Sequence, residues 1–177
     1  MFHRSTYRAA ALIVAGALLS TGCASSSDDA GSGDKSVTND LSAVKVTGDD
    51  GKKPTVTVPA PFSVTKTDRK VLKNGDGAVV ADGQRVSINY VGVNGTDGKE
   101  FDTSFGKDEK ATFTMDASQF MKGLVEGLQG TTVGSRVLIA VPPKDGYGAE
   151  GVPSVGIGPT DTLVFVVDVL DAVNKAA

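Results

Sequence analysis

Between residues 68 and 172, apolar and polar residues alternate over most of the chain, a spacing that only extended strands can use to bury one face. Four segments show this alternation, or a run of Val, Ile, Leu and Phe of strand length: 85–90, 111–115, 135–141 and 162–170. The last of them is long enough to be a central strand. The region therefore predicts a domain built mainly from β-strands.

One segment, 116–128, has helical spacing instead. Asp116 is a candidate N-cap, and Gln119 follows three residues later, which is the arrangement of a capping box. An apolar stripe at four-residue spacing consists of Phe120, Leu124 and Leu128. Gly123 and Gly127 lower the helix propensity, so packing against a sheet must hold this helix. Several strands and one short helix predict an α+β domain in which an antiparallel sheet covers the helix.

The first 22 residues have the pattern of a secretory signal peptide: positive charges, an apolar run at 9–19 that is too short to span a bilayer, and small residues. Cys23 is the only cysteine in the chain and stands where cleavage would fall. The string Leu-Ser-Thr-Gly-Cys at 19–23 resembles a bacterial lipobox. We therefore expect an exported protein of the cell envelope, anchored to the membrane by lipidation at Cys23. The alternative is an ordinary signal peptide followed by a chance cysteine.

The rest of the chain divides by composition. Residues 23–40 are rich in Gly, Ser and Asp and predict a disordered tether, because they hold too little apolar surface to offset the entropy of ordering. Residues 41–67 contain short alternating runs, but three prolines confine such strands to edges. Whether 41–67 is a strap packed on the main domain or an extended linker stays open. The main domain is predicted at 68–172, followed by a C-terminal tail at 173–177.

Charge and composition exclude several classes of function. The formal net charge is −3 and the isoelectric point is about 5.1, so the chain lacks the basic field that holds nucleic acid. One His and one Cys exclude a Cys/His zinc cage and a Cys–His dyad, and we expect neither a metal nor another cofactor. The sequence also lacks a Ser/His/Asp set and a phosphate-binding loop. What remains is an apolar pocket with a few polar groups.

Six strings of the main domain carry the most specific signal: Tyr90-Val91-Gly92, Gly98-Lys99-Glu100-Phe101-Asp102-Thr103-Ser104, Gly123-Leu124-Val125-Glu126-Gly127-Leu128, Val133-Gly134, Tyr147-Gly148 and Thr162-Leu163-Val164-Phe165. Their order and spacing resemble the FKBP family of peptidyl-prolyl isomerases. Any one string is weak, but six in register between Val71 and Asp171 make the resemblance strong. It implies a twisted antiparallel β-sheet wrapped around one short α-helix, in agreement with the α+β pattern.

The resemblance also implies an activity, cis–trans isomerisation of X–Pro bonds, here in exported proteins during folding. The rotational barrier of about 18–20 kcal/mol arises from amide resonance, which the twisted transition state loses. An apolar pocket that excludes water favours this state over the planar amide, without proton transfer or a covalent intermediate. A catalytic triad is therefore not expected.

Site residues follow from the resemblance position by position. The catalytic set would be Tyr90, Phe101, Asp102, Tyr147 and Phe165. The substrate-binding set would be Phe120, Met121, Leu124, Val155 and Ile157. Met121 would offer its backbone N–H and Tyr147 its hydroxyl, while Asp102 would pair with Tyr90 and Lys107. The alternatives are that the aromatic residues are ordinary core and that Asp102 is a solvated loop charge.

Two positions depart from the family's pattern. Leu124 stands where a Trp pocket floor is common, and Ala111 where an aromatic wall is common, while Phe113 beside the pocket is expected to be core. We expect a weakened isomerase with reduced affinity for macrolides. Its expected partners are proline-containing polypeptides and, through the lipid anchor, the membrane, with no nucleic acid and a monomeric state. The alternatives are a non-catalytic FKBP-like chaperone or peptide-binding module on the cell envelope, and a lipoprotein that only scaffolds envelope contacts.

Overall fold

The computed structural model describes residues 37–174. The predicted signal peptide, Cys23, most of the predicted tether and the last three residues lie outside the described residues. The described part contains eight strands and one α-helix: β1 Lys45–Thr47, β2 Thr55–Thr57, β3 Asp68–Lys73, β4 Arg85–Asn94, β5 Glu100–Thr103, β6 Ala111–Thr114, α1 Lys122–Leu128, β7 Arg136–Val141 and β8 Leu163–Val173. None of the helices within it is long and apolar enough to cross a membrane.

Six of these strands form one antiparallel sheet, in the order β3–β7–β8–β4. The remaining edge of β4 is shared, because β6 pairs with its first half and β5 with its second half. β1 and β2 pair with each other in a separate two-stranded hairpin. The long central pair aligns Asn94 of β4 with Leu163 of β8, and Arg85 with Val173. The predicted α+β fold, an antiparallel sheet with one short helix, is confirmed.

The central strands β7 and β8 are buried on both faces over most of their length, which explains the uninterrupted apolar runs at 137–141 and 163–167. All six residues of β7 are buried. Val137, Ile139 and Val141 belong to the core cluster that contains α1, and we call this side of the sheet the helix face. Leu138 and Ala140 belong to a second cluster on the opposite side, the outer face.

Residues 37–64 cover the outer face, and we call them the strap. The strap buries five apolar side chains against that face: Leu41, Val44, Val58, Phe62 and Val64. The guanidinium of Arg136 ties the β1–β2 turn to the sheet by donating to the carbonyls of Asp49 (3.3 Å) and Lys52 (3.0 Å). Residues 37–40, at the end of the predicted tether, belong to the strap, where Thr38 pairs with Phe62. Of the two arrangements that the sequence leaves open, the structure has the packed strap.

The helix is shorter than the sequence predicts. α1 begins at Lys122, whereas the predicted helix begins at Asp116. The Asp116 carboxylate accepts hydrogen bonds from the Ser118 N–H (2.9 Å) and from the Gln119 side chain (2.7 Å), and its carbonyl accepts the Phe120 N–H (3.0 Å). Asp commonly bonds to the backbone two residues on, and here it closes a separate turn. The predicted capping box is therefore wrong, although the Asp–Gln contact exists.

Two glycines allow α1 to lie close to β7. A Cβ at Gly123 would lie 2.3 Å from Val141 Cγ1, and one at Gly127 would lie 2.7 Å from Ile139 Cδ1. Contacts this short do not occur between real side chains, so larger residues would push the helix away from the sheet. The low helix propensity of glycine is thus offset by close packing. Arg69 adds hydrogen bonds to two carbonyl oxygens at the end of the helix.

Candidate active site

A cavity of about 710 Å³ opens on the helix face, between the start of α1, strands β4 and β5, and the loop that follows β7. Eight of the ten predicted site residues line it: Tyr90, Phe101, Asp102, Phe120, Met121, Leu124, Tyr147 and Phe165. The other two lie outside the lining. Val155 is exposed on a single 3₁₀ turn, Pro153–Val155, and Ile157 is buried in the core.

Three aromatic rings form one wall of the cavity. The rings of Phe101 and Phe165 meet edge to face, with centroids 5.7 Å apart and an interplanar angle of 89°. Tyr90 contacts Phe165 in a similar way at 6.2 Å and 60°. Gly92 lies opposite both Asp102 and Phe165 in the sheet, and a Cβ there would lie 2.6 Å from the Phe101 ring. A glycine at this position of β4 is therefore what allows the rings to meet.

A carboxylate fixes the polar end of this wall. The Tyr90 hydroxyl donates to Asp102 Oδ2, and Lys107 Nζ donates to Asp102 Oδ1 at 2.9 Å. Both predicted partners of Asp102 are thus present, and the alternative of a purely solvated carboxylate is wrong. Partial burial raises the pKa of the Asp102 carboxyl, but the hydrogen bonds from Tyr90 and Lys107 outweigh it and hold the pKa below its usual value. Burial, with the hydrogen bond to Asp102, raises the pKa of the Tyr90 phenol.

Two further donors lie at the cavity. Met121 immediately precedes α1, and its backbone N–H donates to no backbone or side-chain acceptor in the described part of the chain. Tyr147 lies between the 3₁₀ turns Pro143–Asp145 and Gly148–Glu150, with 43% of its surface exposed. Partial burial raises the pKa of its phenol, and the negative charge of Asp102 adds to the effect. Both groups are therefore free to donate to a bound molecule.

A stacked pair of phenyl rings also lines the cavity. Phe113 and Phe120 lie parallel within 9°, with centroids 3.9 Å apart. Phe113 is buried, as predicted, but it also lines the cavity. Phe120 is partly exposed and lies in the turn before α1, outside the helical stripe in which the sequence places it. Leu124 and Ala111 line the cavity too, so the two departures from the family's pattern both fall at its wall.

Sequence reasoning missed the most deeply buried polar side chain of the cavity lining, Asp145. Asp145 is buried, with 5% of its surface exposed, and it accepts hydrogen bonds from Lys122 Nζ (2.9 Å) and from Thr67 Oγ1 (3.2 Å). Its partners are 23 and 78 residues away in sequence, so no local motif could reveal it. The available signal was its position two residues before Tyr147.

The chemistry of this cavity is that of binding and orientation. Within residues 37–174, no group of three or more His, Cys, Asp and Glu side chains is placed to hold a metal ion. Six aromatic rings line the cavity and offer surface that a small apolar ring such as proline can contact. Among the polar groups of the lining, the Met121 N–H and the Tyr147 hydroxyl are suited to orienting an amide, whereas the Tyr90 hydroxyl already donates to Asp102.

Known proteins resemble this chain in sequence. Residues 77–170 match the family described as FKBP-type peptidyl-prolyl cis-trans isomerase. An FK506-binding protein of Streptomyces anulatus is 36% identical over 119 residues, which cover 67% of this chain and 96% of that protein. The FKBP-type peptidyl-prolyl cis-trans isomerase FkpA of Escherichia coli K12 is 39% identical over 102 residues, which cover 58% of this chain and 36% of FkpA.

Solved structures agree with the sequence matches. The crystal structure of FkpA from Escherichia coli superposes with a TM-score of 0.57 at 32% identity, covering 76% of this chain and 53% of that one. A peptidyl-prolyl cis-trans isomerase of Pseudomonas syringae pv. tomato gives a TM-score of 0.53 at 27% identity, covering 61% of this chain and 76% of that one. Because the family match spans more than half of the sequence, and a relative aligns over nearly its whole length, this chain belongs to the FKBP-type peptidyl-prolyl cis-trans isomerase family.

Proposed function

We propose that the peptidyl-prolyl isomerase activity of this enzyme resides in the cavity on the helix face. The observation that carries the proposal is the convergence of an aromatic wall, a fixed tyrosine–carboxylate pair and two free donors on one cavity. Of the proposed catalytic set, Tyr90, Phe101, Tyr147 and Phe165 contact the substrate, and Asp102 acts through Tyr90. In this arrangement the proline ring of the substrate packs against the aromatic wall.

The cavity accelerates rotation by favouring the twisted amide. The planar amide has charge separation that water stabilises, and the apolar wall offers no such stabilisation, so moving into the cavity costs the twisted state less. The Met121 N–H and the Tyr147 hydroxyl donate to substrate carbonyl oxygens and hold the chain on either side of the rotating bond. Asp102 keeps the Tyr90 ring in place against Phe165 and touches no reacting atom.

The proposed substrate-binding residues differ in how they act. Phe120, Met121 and Leu124 contact the substrate directly from the cavity wall. Val155, which is exposed, contacts only a longer substrate that reaches the loop beside the cavity. Ile157 is buried and supports that loop, because its backbone pairs with Val152.

We also propose that the enzyme acts outside the cytoplasm as a membrane-anchored lipoprotein. The support is in the sequence: residues 1–22 have the pattern of a signal peptide, and Cys23 is placed for lipidation. Residues 23–36 then tether the domain, and its substrates are proline-containing segments of exported proteins. A lipid anchor of two acyl chains holds a protein stably, whereas one chain binds marginally.

Macrolide binding is proposed to be weak. One relative is named an FK506-binding protein, which suggests that the cavity of this chain also accepts such a ligand. Leu124 and Ala111 present less apolar area than the aromatic residues common at these positions. At about 25 cal/mol per Å² of buried apolar surface, the loss of some tens of Å² lowers the binding free energy by about 1 kcal/mol.

The test compares two phenylalanines of neighbouring sequence in a proline-peptide isomerisation assay on the full chain in detergent. Phe101→Leu removes a ring from the cavity wall and should lower kcat/KM at least tenfold. Phe105→Leu is the matched control, because Phe105 packs against the outer-face cluster, and its kcat/KM should stay within twofold. Equal effects of the two variants would mean that the cavity is not the catalytic site. A wild-type protein without activity on any proline peptide would support the non-catalytic binding module.

A further inference from the structure

Asp145 is a buried carboxylate at the proposed catalytic cavity that takes no part in the chemistry described above. It ends the 3₁₀ turn Pro143–Asp145, lines the cavity, and lies two residues before Tyr147. A carboxylate taken out of water costs several kcal/mol unless each of its oxygens is satisfied. The cost of burying this carboxylate in the cavity wall indicates that it has a role there.

Both oxygens of Asp145 are occupied by groups from distant parts of the chain. Oδ1 accepts a hydrogen bond from Lys122 Nζ at 2.9 Å, and Lys122 is the first residue of α1. Oδ2 accepts one from Thr67 Oγ1 at 3.2 Å, and Thr67 immediately precedes β3. The Asp145 side chain thus joins the cavity loop to the helix and to an edge of the sheet.

The loop that carries Tyr147 depends on this residue. Among residues 37–174, the hydrogen bonds that connect segment 142–151 to the rest of the protein all go through the Asp145 side chain. The backbone bonds of Asp145 and Gly146 stay inside the segment, because they end on Pro142 and Pro143. Tyr147 itself is flanked by two glycines, which place few conformational limits on the backbone. A single side chain therefore supplies the hydrogen bonds that fasten this loop to the rest of the described protein.

We propose that Asp145 is a positioning residue of the isomerase, which holds the hydroxyl of Tyr147 at the cavity by tying its loop to Lys122 and Thr67. The inference rests on the proposed role of Tyr147 as a donor to the substrate. Asp145 acts through Tyr147 and does not contact the substrate carbonyl, since a carboxylate cannot donate to it.

The test is a double-mutant cycle on the full chain, with kcat/KM for a proline peptide as the readout. Asp145→Asn keeps the size of the side chain and removes its charge. It should lower kcat/KM about tenfold in the wild-type background and less than twofold in the Tyr147→Phe background. A residue that merely stabilised the fold would reduce activity by the same factor in both backgrounds. Losses that multiply in the double variant would overturn the proposal.

A second variant tests the same hydrogen-bonded link through a residue that lies outside the cavity. Thr67 does not line the cavity, so Thr67→Val cannot remove a direct contact with the substrate. It should lower kcat/KM about threefold, and this loss should also vanish in the Tyr147→Phe background. The matched control is Asp161→Asn, which alters another buried aspartate, one that accepts from Asn94 and Thr96 away from the cavity. Its effect on kcat/KM should be the same in both backgrounds.

The outcomes separate this proposal from the proposed function. If Tyr147→Phe keeps full activity while Asp145→Asn loses it, Asp145 does not act through Tyr147, and the proposal is overturned although the cavity stays the catalytic site. If Phe101→Leu and Phe105→Leu are equally active, the catalytic cavity itself is misplaced, and both proposals fail. Circular dichroism melts of each variant show that the losses occur in folded protein.

Discussion

The Tyr90 hydroxyl of β4 donates a hydrogen bond to the Asp102 carboxylate of the neighbouring strand β5, and the other oxygen of that carboxylate is held by Lys107. The Tyr90 ring on the same side chain contacts Phe165, so the polar contact at one end fixes the aromatic contact at the other. Lys lacks the two-pronged geometry of Arg, which makes this pairing looser than a bidentate one. The cavity wall is thus held by a polar contact at its edge.

Asp102→Leu should lower isomerase activity while the domain stays folded. The variant leaves the partly buried Tyr90 hydroxyl without its acceptor, and a hydrogen bond to a charged group contributes about 1.5–3 kcal/mol, so kcat/KM should fall roughly ten- to hundredfold. Proline-peptide isomerisation gives the rate, and circular dichroism reports folding. Asp49→Leu, at an exposed ion pair in the strap, is the control. Outright unfolding of the Asp102 variant would make Asp102 a structural residue only.

Leu124→Trp should raise the affinity for a macrolide such as FK506 several-fold. Leu124 is buried at the cavity, and a larger side chain there adds some tens of Å² of apolar contact, which is about 1 kcal/mol. The natural chain has no tryptophan, so the fluorescence of the new side chain reports directly on ligand binding. Leu72→Trp, at an exposed position of β3, should show no such change. Unaltered affinity and fluorescence at position 124 would place the macrolide elsewhere.

Gly123→Ala should destabilise the protein even though alanine favours helices. The propensity gain is about 1 kcal/mol, but the new Cβ would lie 2.3 Å from Val141 Cγ1, and such overpacking costs about 1–3 kcal/mol or more. Urea unfolding should show a net loss in the free energy of unfolding. The loss should shrink when Val141→Ala is added, which frees the space. Glu126→Ala, at the exposed side of α1, introduces no Cβ clash and removes only an exposed ion pair with Lys122 (3.4 Å), which contributes little. A similar loss there would contradict the packing explanation.

Cys23→Ala should release the protein from the membrane fraction of cells. Without the thiol no acyl chain can be attached, and the signal pattern before it has too short an apolar run to span a bilayer. Fractionation and intact mass measure the change, with Ser25→Ala as the control that keeps the cysteine. If the Cys23→Ala variant stays in the membrane fraction, and its mass differs from that of the natural protein only by the substitution, the lipoprotein hypothesis is wrong.

Parts of the fold could be predicted where the order of apolar and polar residues follows directly from the geometry of a strand. The strands β4, β6, β7 and β8 alternate or run apolar, and each was expected near its observed position. β3 was not expected as a strand, because all six of its residues are exposed and no face of it is apolar. The start of α1 was misplaced, since a turn closed by Asp116 imitates the first turn of a helix.

The site could be predicted only as far as the family's pattern extends. The resemblance identified Tyr90, Asp102 and Lys107 as partners, and the structure contains both contacts. It could not identify Asp145, because the partners that give this residue its place are brought together by the tertiary fold alone. The roles proposed for Val155 and Ile157 stay predictions, since neither residue lines the cavity.

The strap is the first described segment of the chain and packs on the outer face, while the cavity opens on the helix face. A mechanical load applied upstream of residue 37 therefore reaches the domain at Thr38 and its pairing with Phe62. Such a pull would first peel the strap and uncover the outer face, and the six-stranded sheet would shield the aromatic wall behind it. Tension on the N-terminal side would thus act on the strap before it reached the site where a proline would bind.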